Sequence, residues 1–404
     1  MGNLIWVVTV VVSMMASQIV HTHEELPQAS PEEAGMSRAE LERIPFVVQS
    51  LLDKQKTAGA IVLVARYGKV VRLLTFGQMN ATAGTPMRPD AIFRIHSMTK
   101  PITTVAALML VEQGRLGLDE PVVKYLPELV GQQVFAAVTN TLVAPLRPVT
   151  IRDLMRHTSG LTNQTTDGKR FETLDRPDIN LSDWVRAVAK LPLKDQPGTR
   201  FDYGISTEVL GRVVEVASGE ALDVFLRERI FAPLDMRDTD FFVPEIKRSR
   251  LAALYRRDNN GMLALAEDEL GRRHDRKPQH VSGGGGLFST ARDYLRFAQM
   301  LLSGGTLQGA RILRSDTIRQ MTTNQLPPSA LPMTLGGLRL PRRGFGLRVM
   351  VQEEGEYGWS GSASTSFWVA PNEELIFIGL QQVQPFDLSL EMKLKPIVYA
   401  AVGK

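Results

Sequence analysis

The sequence predicts an α/β fold in which one sheet is assembled from both ends of the chain, with a mostly α-helical stretch inserted between them. Three observations carry this expectation. Residues 60–76, AIVLVARYGKVVRLLTF, hold two β-branched runs broken by Arg-Tyr-Gly-Lys, which reads as a hairpin with Gly68 at its turn. The runs GFGLRVMVQ from 344 and SFWVAPNEELIFIGLQQ from 366 read as strands near the other end. Between about 101 and 280 the pattern is mainly helical, as in VLGRVVEVASGEALDVFLRERI from 209, with Pro and Gly turns as separators. The expected organisation is 31–100 plus 281–404 as the sheet domain and 101–280 as the helical insertion.

Taken in order, residues 1–20 are an apolar run long enough for a signal-peptide core or a short membrane anchor, within an extension expected over 1–30. It lacks the early Lys or Arg of a signal, and SMMAS is a poor cleavage site, so export is the expectation and a cytoplasmic location or misassigned start is the alternative. The folded chain is expected to begin near Pro31. After the hairpin, Ile102, Val105, Ala106, Met109 and Leu110 recur at helical spacing and Gly114 stops the run, with Pro101 in the first turn, where a missing N–H costs little. SGGGG at 282–286 reads as a flexible turn entering a strand, ARDYLRFAQMLL as a further helix, and the last residues as a helical tail.

Composition removes several chemistries. The 404 residues suffice for a large buried core, and the content of 44% hydrophobic and 22% charged residues is that of an ordinary globular protein. The 47 basic and 43 acidic side chains nearly cancel, and the short basic clusters lie among polar loops, so no nucleic-acid partner is expected. There is no cysteine, hence no disulfide, thiolate metal site or cysteine nucleophile. The six histidines include no HExxH pair, and no phosphate-loop or GxGxxG string occurs.

What remains is SMTK, Ser97 to Lys100. Serine is common at helix starts and Ser-x-x-Lys strings arise by chance, so the motif alone decides nothing. At the first turn of a helix, however, positions three apart share a face, so the hydroxyl and the amine come within reach. A serine hydroxyl is a weak nucleophile until a neutral neighbour takes its proton. A lysine, at about 10.4 in water, does so only when desolvated near the positive end of a helix. A Ser-His-Asp triad has no anchor, because no serine sits in a G-x-S-x-G elbow; His157 in MRHTSGLT reads as a loop-holding residue.

With SMTK, the strings FDYGIS and GWSGSAS follow in order along the chain, joined by RHTSGL, PLDMRDTDF and GGGGLFST. Over about 31–395 this set resembles the serine β-lactamase and penicillin-binding-protein superfamily, in its class C-like branch with the family VIII carboxylesterases. The resemblance implies an antiparallel sheet flanked by helices, with the active site between sheet and insertion. It implies Ser97 as nucleophile, Lys100 and Tyr203 sharing the proton work with the base unassigned between them, and the backbone N–H groups of Ser97 and Ser362 as oxyanion hole. Trp359, Ser360 and Gly361 would form the third box and, with Ile205, the substrate pocket.

Two departures bear on substrate. Ile205 stands where class C β-lactamases carry an asparagine, and Trp359 where they carry a lysine, so both polar handles for a β-lactam are missing. A Trp-led box is similar to the family VIII esterases, although Ser360 replaces their usual glycine. The expectation is a hydrolase of short-chain or small aromatic carboxylic esters, with acyl transfer to an alcohol as a related activity. A β-lactamase or D-amino-acid peptidase is the nearest alternative, and a non-catalytic acyl sensor the furthest. No metal or organic cofactor is implied; the partner is a small-molecule ester, with membrane contact only through residues 1–20 and no oligomeric state indicated.

Overall fold

A computed structural model of the chain describes residues 26–136, 138–162, 179–266 and 274–403. The apolar run at 1–20 lies outside the described residues, and among those described no helix is long and apolar enough to cross a membrane. The expected hairpin is β1 (Gly59–Arg66) and β2 (Lys69–Asn80), followed by the short β3 (Thr85–Pro86). Its two-residue turn, Tyr67 and Gly68, has φ of 53° and 72°, the left-handed pair whose twist matches that of the strands it joins.

The C-terminal strands are β4 (Arg343–Phe345), β5 (Met350–Gln352), β6 (Tyr357–Gly361), β7 (Thr365–Ala370) and β8 (Leu375–Leu380). The runs GFGLRVMVQ and SFWVAPNEELIFIGLQQ are thus each two strands and a turn, a correction to the single strand expected of each. Apolar composition alone does not reveal that Arg348 takes φ +79° in the first of them. Together the strands make one antiparallel sheet in the order β4-β5-β6-β7-β8-β1-β2-β3, the two chain ends meeting where Leu63 pairs with Ile378 and Val64 with Phe377.

Both faces of this sheet are covered, which is why β1 and β8 are apolar at nearly every position. Ala60, Val62 and Val64 pack with Trp368 and Phe377 beneath α1 (Ile44–Asp53) and α5 (Ser389–Ala401). The alternate residues Ile61, Leu63 and Ala65 face α2 (Thr99–Glu112) and α4 (Ala291–Leu302). Each fully buried Val, Leu or Ile stabilises the fold by roughly 1.5–3 kcal/mol. On that second face, residues of 101–280, including α3 (Ser206–Ser218), share a single apolar cluster with the sheet. The helical region also carries short ribbons, one of which, Tyr255–Arg257, pairs with Val383–Gln384.

Candidate active site

Ser97 lies in a 3₁₀ turn, His96–Met98, that runs directly into α2. The turn is held from three sides. Ile95 donates its N–H to Leu287 O at 3.1 Å, the Leu287 amide donates to Thr99 Oγ1 at 3.1 Å, and the hydroxyl of Tyr294 on α4 donates to Met98 O at 2.9 Å. Lys100 follows in the first turn of α2, and its Nζ donates to Ser97 Oγ at 3.0 Å and to Gly284 O at 2.5 Å. Tyr203, just ahead of α3, brings its Oη to 2.8 Å from Ser97 Oγ, while Lys100 Nζ stands 5.0 Å from the Tyr203 ring centre. The three side chains singled out from sequence therefore meet at one oxygen.

The segment 282–286 is the expected turn leading into a short strand, Phe288–Ser289, but it is packed into the site and not free: Gly283 O accepts from Thr103 at 2.8 Å and Gly284 O from Lys100. A Cβ on Gly284 would come 2.7 Å from Glu208 Oε1. Glu208, one helical turn beyond Tyr203, was not singled out from sequence. Its Oε1 accepts from Ser282 Oγ at 2.6 Å and its Oε2 stands 3.5 Å from His280 Nε2. Burial pushes its carboxyl up, but His280, Ser282 and the Lys100 charge outweigh this and hold it below the ordinary range.

Opposite Lys100 the surroundings are aromatic. The Trp359 ring on β6 lies 5.2 Å from that of Tyr203 and 5.2 Å from that of Phe345, and Phe345 lies 4.9 Å from Phe201. His157 is buried and packs 4.6 Å from the Tyr203 ring. Its Nδ1 lies 3.3 Å from the Gly204 amide and its Nε2 lies against Arg348 Nη1; a neutral imidazole has one acceptor nitrogen, so it accepts from one of these two donors, while Arg348 Nη2 donates to Leu154 O. Neither ring nitrogen faces an acceptor, so an added proton has no partner. Burial, then the charges of Arg348 and Lys100, hold the imidazole well below its usual range and therefore neutral. Among the described residues His157 makes no hydrogen bond to Ser97; it braces the loop of Tyr203.

For Tyr203 itself, burial raises the phenol pKa. The Lys100 charge and hydrogen bonds from Lys100 and Ser97 outweigh that effect, and the phenol ends below its ordinary value of 10.0. Ile205 is buried in the main core at the start of α3. Gly361 ends β6 so close to the Ser97 turn that a Cβ there would sit 2.2 Å from Ile95 O, and the exposed Ser362 follows in the turn to β7. The Ser97 amide lies in a first helical turn, where N–H groups lack intrahelical acceptors. Ser360 pairs with Ser366 across β6 and β7. Of the loop 161–180, residues 163–178 lie outside the described residues; 325–345 contains a hairpin, Met333–Leu335 with Leu338–Leu340.

Comparison with known proteins agrees with this geometry. The family model described as Beta-lactamase matches residues 47–393. An uncharacterized protein of Mycobacterium tuberculosis is 34% identical over 372 residues, covering 85% of this chain and 90% of its own. Esterase EstB of Burkholderia gladioli is 33% identical over 276 residues, covering 63% of this chain and 68% of its own. The solved structure of EstCE1, described as a hydrolase with promiscuous acyltransferase activity, superposes with a TM-score of 0.76 at 25% identity over 90% of this chain and 99% of its own. The chain belongs to the β-lactamase family, among relatives that include esterases and acyltransferases.

Proposed function

We propose that this protein is a serine carboxylesterase that cleaves short-chain or small aromatic esters through an acyl-enzyme on Ser97. The observation that carries the reading is the pair of contacts at Ser97 Oγ, 3.0 Å from Lys100 Nζ and 2.8 Å from Tyr203 Oη. Lys100 Nζ is also held by Gly284 O, and its charge beside Tyr203 favours the phenolate, which makes Tyr203 the better-placed acceptor of the serine proton. Hydroxyl protons are not fixed by heavy-atom positions, so the Ser97–Tyr203 bond reverses direction once Tyr203 is a phenolate. Ser97 Oγ then bonds to the ester carbonyl carbon as its proton passes to Tyr203. The oxyanion is held by the amides of Ser97 and Ser362, and collapse expels the alkoxide, which takes the proton back from Tyr203. Water repeats the sequence on the acyl-enzyme and releases the acid.

The apolar wall of Trp359, with Ile205 in place of a polar handle, supports neutral acyl groups over anionic β-lactams. An alcohol entering in place of water would make the same intermediate an acyl donor. The test is hydrolysis of p-nitrophenyl butyrate by wild type, Ser97→Ala and Tyr203→Phe, with nitrocefin and a D-Ala-D-Ala peptide alongside. Ester turnover lost in both variants, with little cleavage of the other two, is the expected result. Activity that survives Ser97→Ala abandons the mechanism.

A further inference from the structure

Arg348 is the one fully buried arginine among the largest buried side chains, and it sits in the turn between β4 and β5 at φ +79°, a backbone region that favours glycine. A charge taken from water needs compensation, ordinarily a carboxylate. Among the described residues Arg348 has none. Nη1 meets His157 Nε2, Nη2 meets Leu154 O, and Nε has no hydrogen-bond partner. An unpaired buried cation on a conformationally costly residue is an arrangement that persists where it serves a purpose.

We propose that Arg348 is a positioning residue: through His157 its guanidinium holds the Tyr203 loop and favours the phenolate form of Tyr203. The proposal rests on Tyr203 acting as the proton acceptor, as argued above. The path runs from Arg348 Nη1 to His157 Nε2 and then through the 4.6 Å ring contact to Tyr203. Every other titratable group facing Tyr203 is accounted for. Lys100 reaches it from α2, His157 from the loop after Ile151–Met155, and Glu208 faces Lys100 from α3. The dependence runs both ways: burial lowers Arg348 to about 9, and a negative charge on Tyr203 acts to raise it again. His157, neutral between them, passes the field without trapping the proton.

The test is the pH profile of kcat/KM for p-nitrophenyl butyrate in wild type, Arg348→Gly, Arg348→Gln and Arg348→Lys, each checked for folding by circular dichroism. Glycine accepts the positive φ, so its variant removes the charge without backbone strain. The expected result is an acid limb displaced upward by about one pH unit in the Gly and Gln variants, with rates recovering at high pH and Lys restoring the wild-type limb. A limb that stays in place while rates fall equally at every pH overturns the proposal. Should neither neutral variant fold, the tyrosinate absorbance of Tyr203 decides. It is isolated by subtracting the Tyr203→Phe spectrum in the wild-type and Arg348→Lys backgrounds, and a midpoint that differs between these two cations overturns the proposal. Full activity in Tyr203→Phe would instead remove the reading beneath it, a separate outcome.

Discussion

Asp153 and Arg348 are both fully buried, and both touch the short helix Ile151–Met155, yet they are treated in opposite ways. Asp153 accepts from Arg147 at 2.6 and 3.0 Å, from Arg156 at 3.0 Å, and from Thr150 and Thr158 at 2.9 and 2.8 Å. Burial would raise its carboxyl, but these partners outweigh that and keep it below 3.8. Arg348 receives a carbonyl and an imidazole. The carboxylate closes a capping box and locks the loop, and its compensation is complete; the guanidinium is left under-compensated on the side of Tyr203. A charge neutralised at once can only build structure, whereas one left open still acts at a distance.

The contrast can be broken at several points. Tyr203→Phe removes the group that the open charge serves, and a loss of about 10³-fold in kcat for the butyrate ester is expected, with melting temperature nearly unchanged. Asp153→Asn strands two arginines, and thermal or urea unfolding at pH 7 should show a loss of about 3 kcal/mol. Because the folded pKa of Asp153 lies below its unfolded 3.8, its contribution is present above that pH and fades as pH falls through the lower folded value; the gap between variant and wild type should close on acidification. Equal gaps at pH 7 and pH 3 would refute the structural role assigned to Asp153. Gly284→Ala pushes against Glu208, which Ser282 pins, and should lower kcat/KM by about tenfold by shifting the carbonyl that holds Lys100. The smallest effect tests a buried carboxylate whose donors, Thr239 and the Asp238 amide, are neutral. Asp293 is pushed up to about 6 by burial, so its contribution is complete below 3.8 and is lost as pH rises through 6. Asp293→Asn should therefore stabilise the protein by about 1 kcal/mol at pH 7 and by nothing at pH 3.5, read from unfolding midpoints.

The sheet and the cluster of Ser97, Lys100 and Tyr203 were legible because each carries a local signal. The Tyr67-Gly68 turn interrupts two apolar runs, α2 repeats its apolar face until Gly114, and Ser97 and Lys100 are linked by helical spacing alone. What escaped is long-range. GFGLRVMVQ reads as one strand because its apolar residues conceal a turn in which an arginine takes a glycine-like φ and points inward. Glu208 looks like any acidic residue on an amphipathic helix, and only the packing of α3 against 282–284 makes it a neighbour of Lys100.

The pairing of β1 with β8 also has a consequence for how the chain comes into being. Residues 61–66 cannot find their partners at 375–380 until the long intervening chain has been synthesised, so β1 waits with one edge bare. During translation the hairpin β1–β2 is a template without a customer, exposed to any other extended segment nearby. Chains cut short before Leu375 should accordingly accumulate as aggregates, and the yield of folded protein will depend on how quickly the strand Leu375–Leu380 follows.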